Sequence, residues 1–212
     1  MEPLEEGHYY HIYNRGAGKG NLFFYPNDYS LFLKLYFYYL YPCIETYAWC
    51  LMRNHFHALI KVKTHGEQIR TYRKLRSADN AKNFHGSLNP KIKPYTVSKQ
   101  LSHLFNNYTK KLNARVGRTG TLIEGPLKRK RLSDDDHFIH ILCYIHRNPI
   151  HHNLTDNYTD YLNSSYHSYT STEPSLLGRQ EVFSLFGSLS NFLKAHEEFK
   201  MKLDWKEDYY LE

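Results

Sequence analysis

At 212 residues the chain is long enough to bury one core of substantial size, with room for a small appendage. A formal net charge of +7 favours a polyanionic partner, nucleic acid first and an anionic membrane surface second. Cys43, Cys50 and Cys143 show no paired spacing, and their odd number argues against a disulfide framework. The opening Met1-Glu-Pro-Leu-Glu-Glu6 is acidic and lacks the apolar stretch of a signal peptide. The aromatic segment Tyr29 to Tyr41 is too short to span a bilayer. No membrane association is expected, and the cytoplasm is the default compartment.

In chain order, His8 to Tyr13 reads as a first strand, ended by Asn14-Arg15-Gly16 and a glycine-rich turn. Pro26-Asn27-Asp28 starts a helix that carries Leu31, Leu35, Tyr38 and Tyr39 and closes at Pro42. Cys43–Met52 and His55–Lys63 alternate apolar with other residues and read as two strands joined at Arg53-Asn54. A helical stretch near Gly66–Arg76 leads into the polar segment Ser77–Pro94, taken as a loop or insertion.

From Thr96 a long amphipathic helix sets Val97, Leu101, Leu104, Phe105, Tyr108 and Leu112 on one face. Thr121 to Leu132 looks extended. Ser133-Asp134-Asp135-Asp136 then caps a helix carrying Phe138, Ile141, Leu142 and Ile145, which Pro149 should stop at Asn148. After Tyr158 the chain is polar until a small helical tail. This order fits an α+β fold, an antiparallel ferredoxin-like sheet with helices mainly on one face. Residues 1–170 form the main domain, and 171–212 a helical C-terminal extension.

Strand side chains alternate, so His55 and His57 share one face while Phe56 points to the other. Two imidazoles so placed can reach one divalent cation. On the later helix Tyr144 and Asn148 are four residues apart and project together. The amide oxygen of Asn148 suits a third ligand, and the Tyr144 phenol suits a nucleophile. Oxygen and imidazole donors fit magnesium or manganese, and the chemistry indicated is phosphoryl transfer through a phosphotyrosine. Ordinary packing explains each residue alone equally well.

Taken together, Tyr10-His-Ile-Tyr-Asn-Arg-Gly16, Met52-Arg-Asn-His-Phe-His57, Gly120-Thr-Leu-Ile-Glu-Gly125, Tyr144-Ile-His-Arg-Asn-Pro149 and Ser164-Ser-Tyr-His-Ser-Tyr169 resemble the HUH single-tyrosine transposases. Their REP-associated tyrosine transposase branch is the most similar, over roughly residues 8 to 170. The resemblance implies a ferredoxin-like catalytic domain, Mg2+ or Mn2+, and cleavage of single-stranded DNA beside a hairpin with strand transfer through a 5′-phosphotyrosine. It casts His55, His57 and Asn148 as metal ligands and Tyr144 as nucleophile. Some relatives carry a tyrosine at the position that Leu127 occupies here, and Tyr108 is a third tyrosine to weigh. Arg15, Lys110, Lys111, Arg115, Arg118, Lys128, Arg129, Lys130 and Arg131 are the DNA contacts expected. A homodimer is compatible with the resemblance. The rival readings are a catalytically silent DNA-binding protein and an RNA-binding module on the same kind of sheet.

Overall fold

The computed structural model describes residues 3–77 and 96–200. The polar segment expected up to Pro94 falls, from residue 78 onward, outside the described residues. Four strands, β1 (Tyr9–Arg15), β2 (Ile44–Met52), β3 (His55–Val62) and β4 (Lys128–Arg131), form one antiparallel sheet in the order β2-β3-β1-β4. Helix α1 (Pro26–Leu40) joins β1 to β2. Helices α2 (His65–Ser77) and α3 (Val97–Val116) lie between β3 and β4. Each long connection skips one neighbouring strand, which is the split β-α-β, ferredoxin-like arrangement.

Local chemistry accounts for the two crossover helices. Pro26 occupies the first turn of α1, where a missing N–H costs nothing, and the Asp28 carboxylate accepts hydrogen bonds from the backbone N–H groups of Phe24 and Tyr25 at 2.7 and 2.8 Å. The buried stripe of α1 is Phe32, Leu35, Tyr36 and Leu40, so of the stripe expected from the sequence only Leu35 is buried, while Leu31, Tyr38 and Tyr39 are half-buried. In α3 the expected stripe holds, with Val97, Leu101, Leu104, Tyr108 and Leu112 buried and Phe105 half-buried. Gly117 ends α3 at φ +65°, a left-handed conformation that glycine takes without penalty.

Both crossover helices lie on one face of the sheet, packed on Tyr10, Ile12, Leu51, Phe56, Ala58 and Ile60. The second face is not open. Tyr47, Ala48, Cys50, Met52 and Leu59 pack there against α4 (Asp135–His151), α5 (Tyr166–Thr170), α6 (Arg179–Phe186) and α7 (Leu189–Glu197). The expectation of helices mainly on one face therefore holds for the crossovers only. Helix α4 is sandwiched between the sheet and the tail helices, which is why it is buried nearly all round.

Pro149 does not stop α4. The helix runs on to His151, and the His152 N–H still reaches the Asn148 carbonyl at 3.1 Å. Proline's fixed φ suits a helix, and one lost hydrogen bond in a final turn is tolerated when packing holds that turn. Asn148 thus stays helical and keeps its alignment with Tyr144. No helix among the described residues is long and apolar enough to cross a membrane.

Candidate active site

The alternation of β3 puts Phe56 into the crossover-helix core and turns His55 and His57 toward α4. His55 lies opposite Arg15 of β1 and Met52 of β2, and His57 lies opposite Tyr13 and Cys50. The Nδ1 of His55 meets the Asn54 side-chain oxygen at 2.7 Å. A carbonyl oxygen only accepts, so His55 carries its proton on Nδ1 and leaves Nε2 with a lone pair. The Nδ1 of His57 meets Nε2 of His11 at 2.8 Å. Both Nε2 atoms are buried and have no hydrogen-bond partner among the described residues.

Burial, with His152 adding to it, pushes the His55 pKa down to about 3. Burial and the neighbouring His11, His55 and His152 hold His57 well below the ordinary range. Both rings are neutral at pH 7, the form that a metal ligand requires.

Tyr144 stands over this pair. Its ring meets His57 edge-on at 5.8 Å between centroids and His11 at 6.0 Å, and it stacks on His151 at 5.7 Å. Burial raises the phenol pKa, while the Asn148 amide opposes the shift by favouring the ionised form. The same amide favours the protonated form of His55, which places Asn148 beside both groups. Neither Asn148 amide atom has a partner at hydrogen-bonding geometry, and the residue is fully buried. Burying an unsatisfied polar group costs about 1–3 kcal/mol. Two imidazole nitrogens and one amide, all buried and unsatisfied at one spot, form a donor set that a divalent cation would complete. Among the described residues no group of three or more His, Cys, Asp or Glu side chains is placed to hold a metal.

The other two tyrosine positions face away. Leu127 and Tyr108 both belong to the crossover-helix core on the far side of the sheet, and the Tyr108 hydroxyl donates to the Leu22 carbonyl at 2.7 Å.

The basic residues do not form one patch. Lys128 and Lys130 lie opposite Tyr13 and His11, on the face of the histidine pair. Arg129 and Arg131 lie opposite Ile12 and Tyr10 and so point to the other face. Arg15 is on the histidine side, ion-paired with Glu124. Exposed Lys110 and Lys111 sit on α3 in the far layer, where Arg115 is ion-paired with buried Asp28. Arg118 follows α3 and donates to the Thr121 carbonyl at 3.1 Å.

The structure adds four residues that sequence reading did not assign to the site. They are His11, Asn54, Tyr13, stacked on His57 at 5.6 Å, and His152, edge-on to His55 at 4.5 Å. The alternation His11, Tyr13, Arg15 was visible in the sequence, but only the β1–β3 register shows that it faces the histidine pair.

No family model and no curated protein matches the chain. A bacterial tRNA(His) guanylyltransferase-like protein in complex with GTP is 11% identical over 75% of this chain and 71% of that one, with a TM-score of 0.39. A REP-associated tyrosine transposase, solved bound to a REP hairpin, is 11% identical over 82% of this chain and 87% of that one, with a TM-score of 0.59. The chain therefore has the fold of a REP-associated tyrosine transposase.

Proposed function

We propose that the chain is a metal-dependent single-stranded DNA endonuclease and strand transferase of the tyrosine-transposase kind, acting beside hairpin DNA. The observation that carries this reading is the meeting of His55, His57, Asn148 and the Tyr144 ring at one buried spot between β3 and α4. The fold shared with a transposase solved on a hairpin supports it.

A magnesium or manganese ion held by His55, His57 and Asn148 would stabilise negative charge on the scissile phosphate. Tyr144 is the nucleophile. Its phenolate oxygen attacks phosphorus, the bond to the 3′ oxygen breaks, and that oxygen takes up a proton. The phosphodiester energy is conserved in the 5′-phosphotyrosine, and a 3′ hydroxyl attacking it reverses the exchange and rejoins the strand. Asn148 assists by favouring the ionised phenol. Lys128 and Lys130 are the basic residues of β4 best placed to hold the incoming backbone, because they share the sheet face of the histidine pair.

Incubation with manganese and a 3′-labelled, hairpin-bearing oligonucleotide is expected to give a covalent protein–DNA adduct. Chelator and Tyr144→Phe should both abolish it. An adduct that survives in Tyr144→Phe would remove that residue from the role. The 2% exposure of Tyr144 favours a second reading, a DNA-binding protein without turnover, which hairpin binding with no adduct from the unmodified chain would support.

A further inference from the structure

We propose that His11 is a positioning residue for His57, accepting the His57 Nδ1–H so that the Nε2 lone pair is aimed at the metal position; this rests on the metal-site reading above. The two histidines of the pair are oriented by different means. Asn54 Oδ1 can only accept, so it settles the His55 tautomer by itself. The partner of His57 is another imidazole, and a hydrogen bond of 2.8 Å between two ring nitrogens works with the proton on either one.

The metal position decides between these arrangements. A His57 with its proton on Nε2 would present an N–H, not a lone pair, to the buried spot where His55 Nε2 and the Asn148 amide also lie. With the proton on Nδ1, the His11 contact satisfies the donor and Nε2 is left as a lone pair. That lone pair is the group that a cation uses. A ligating imidazole whose other nitrogen is hydrogen-bonded is held in one orientation and made more basic.

The register accounts for the contact. His11 and His57 are diagonal neighbours on the paired strands β1 and β3, with Tyr13 directly opposite His57. The His11 and His57 rings are nearly parallel, 5.0 Å apart and inclined at 22°. Tyr13 packs on both, at 4.9 and 5.6 Å. Both histidines are fully buried, so solvent does not compete for the shared proton.

The test uses the full chain and manganese alone. Mn2+ affinity would be read from the electron paramagnetic resonance signal of the free ion for wild type, His11→Phe and His11→Gln. Phenylalanine keeps the ring and removes the acceptor, whereas glutamine restores an acceptor oxygen near the Nε2 position. The expected result is a roughly 10- to 100-fold loss for His11→Phe, largely recovered in His11→Gln. Equal affinity in all three, or an equal loss in both variants, would overturn the proposal.

Long-range 1H–15N spectra of the wild-type imidazoles give a second readout, independent of metal and of whether the variants fold. A proton on His57 Nδ1 is expected, and one on Nε2 sinks the idea. Absence of Mn2+ binding by the wild type would instead remove the metal-site reading, and the tautomer spectra would still decide the role of His11.

Discussion

Under the proposed function, the buried amide of Asn148 sets stability against metal binding at one residue. With neither amide atom satisfied, Asn148→Leu should stabilise the metal-free fold by about 1 kcal/mol, because it replaces an orphaned polar group with an apolar one of similar size. The same change should abolish tight Mn2+ binding and adduct formation. Chemical denaturation without metal, paired with the adduct assay, measures both sides, and a destabilised Asn148→Leu would count against an unsatisfied site. Tyr108 shows the opposite pattern. Its hydroxyl has a structural task, the hydrogen bond to the Leu22 carbonyl, and it lies across the sheet from the histidines. Tyr108→Phe should cost about 1 kcal/mol and leave adduct formation at the wild-type level.

Helix α4 is the element that makes the site, because it carries Tyr144 and Asn148 and is clamped on two sides. On the sheet side Phe138 meets Tyr9 and Tyr47 edge-on at 5.4 and 5.0 Å. On the other side His146 bonds His196 of α7 at 2.8 Å and the Ser165 hydroxyl at 2.7 Å. The N-terminus of α4 is held by the Asp134 carboxylate, which accepts from the His137 N–H at 2.8 Å, with Asp135 and Asp136 favourably placed in the first turn. Asp134→Ala should cost about 1 kcal/mol of stability, the usual loss for an N-cap. Tyr144 lies well beyond the first turn, so adduct formation by the folded variant should be unchanged. Urea melts alongside the adduct assay test both halves. The clamping also explains why Pro149 is tolerated, since tertiary packing holds a turn that an isolated helix would lose.

At the scale of the whole molecule, several imidazoles are buried in neutral form. Burial lowers His196 to about 4 and His55 to about 3, and it holds His146 and His57 well below the ordinary value. An unfolded chain binds protons to these rings from about pH 6.5 downward, while the folded chain does not until far lower. The unfolded state then holds more protons, so stability falls as pH drops through that window. For His196 alone the loss between about pH 6.5 and 4 is about 3 kcal/mol. Denaturation midpoints measured at pH 7.5, 6 and 4.5 should decline in that order, and a flat profile would argue against buried neutral rings. Because His196 bonds His146 on α4, that decline should loosen the tail and α4 together.

Strand and helix assignments were legible because period-2 alternation in β3, the apolar stripe of α3 and the acidic cap of α4 are local patterns read one residue at a time. The pairing of His55 with His57, and of Tyr144 with Asn148, was legible for the same reason: strand and helix geometry place i+2 and i+4 on shared faces. What the sequence alone determined was two pairs of side chains on two separate elements. Only the tertiary structure decided that the pairs meet, that Leu127 and Tyr108 face the opposite core, and that the basic run of β4 splits between the two faces. Those outcomes depend on strand register and on which helix covers which face, and a one-residue slip in pairing would have reversed them. His11 belongs to the same class. Its partner lies 46 positions away in the chain, and no local pattern connects two residues that meet only when the sheet forms.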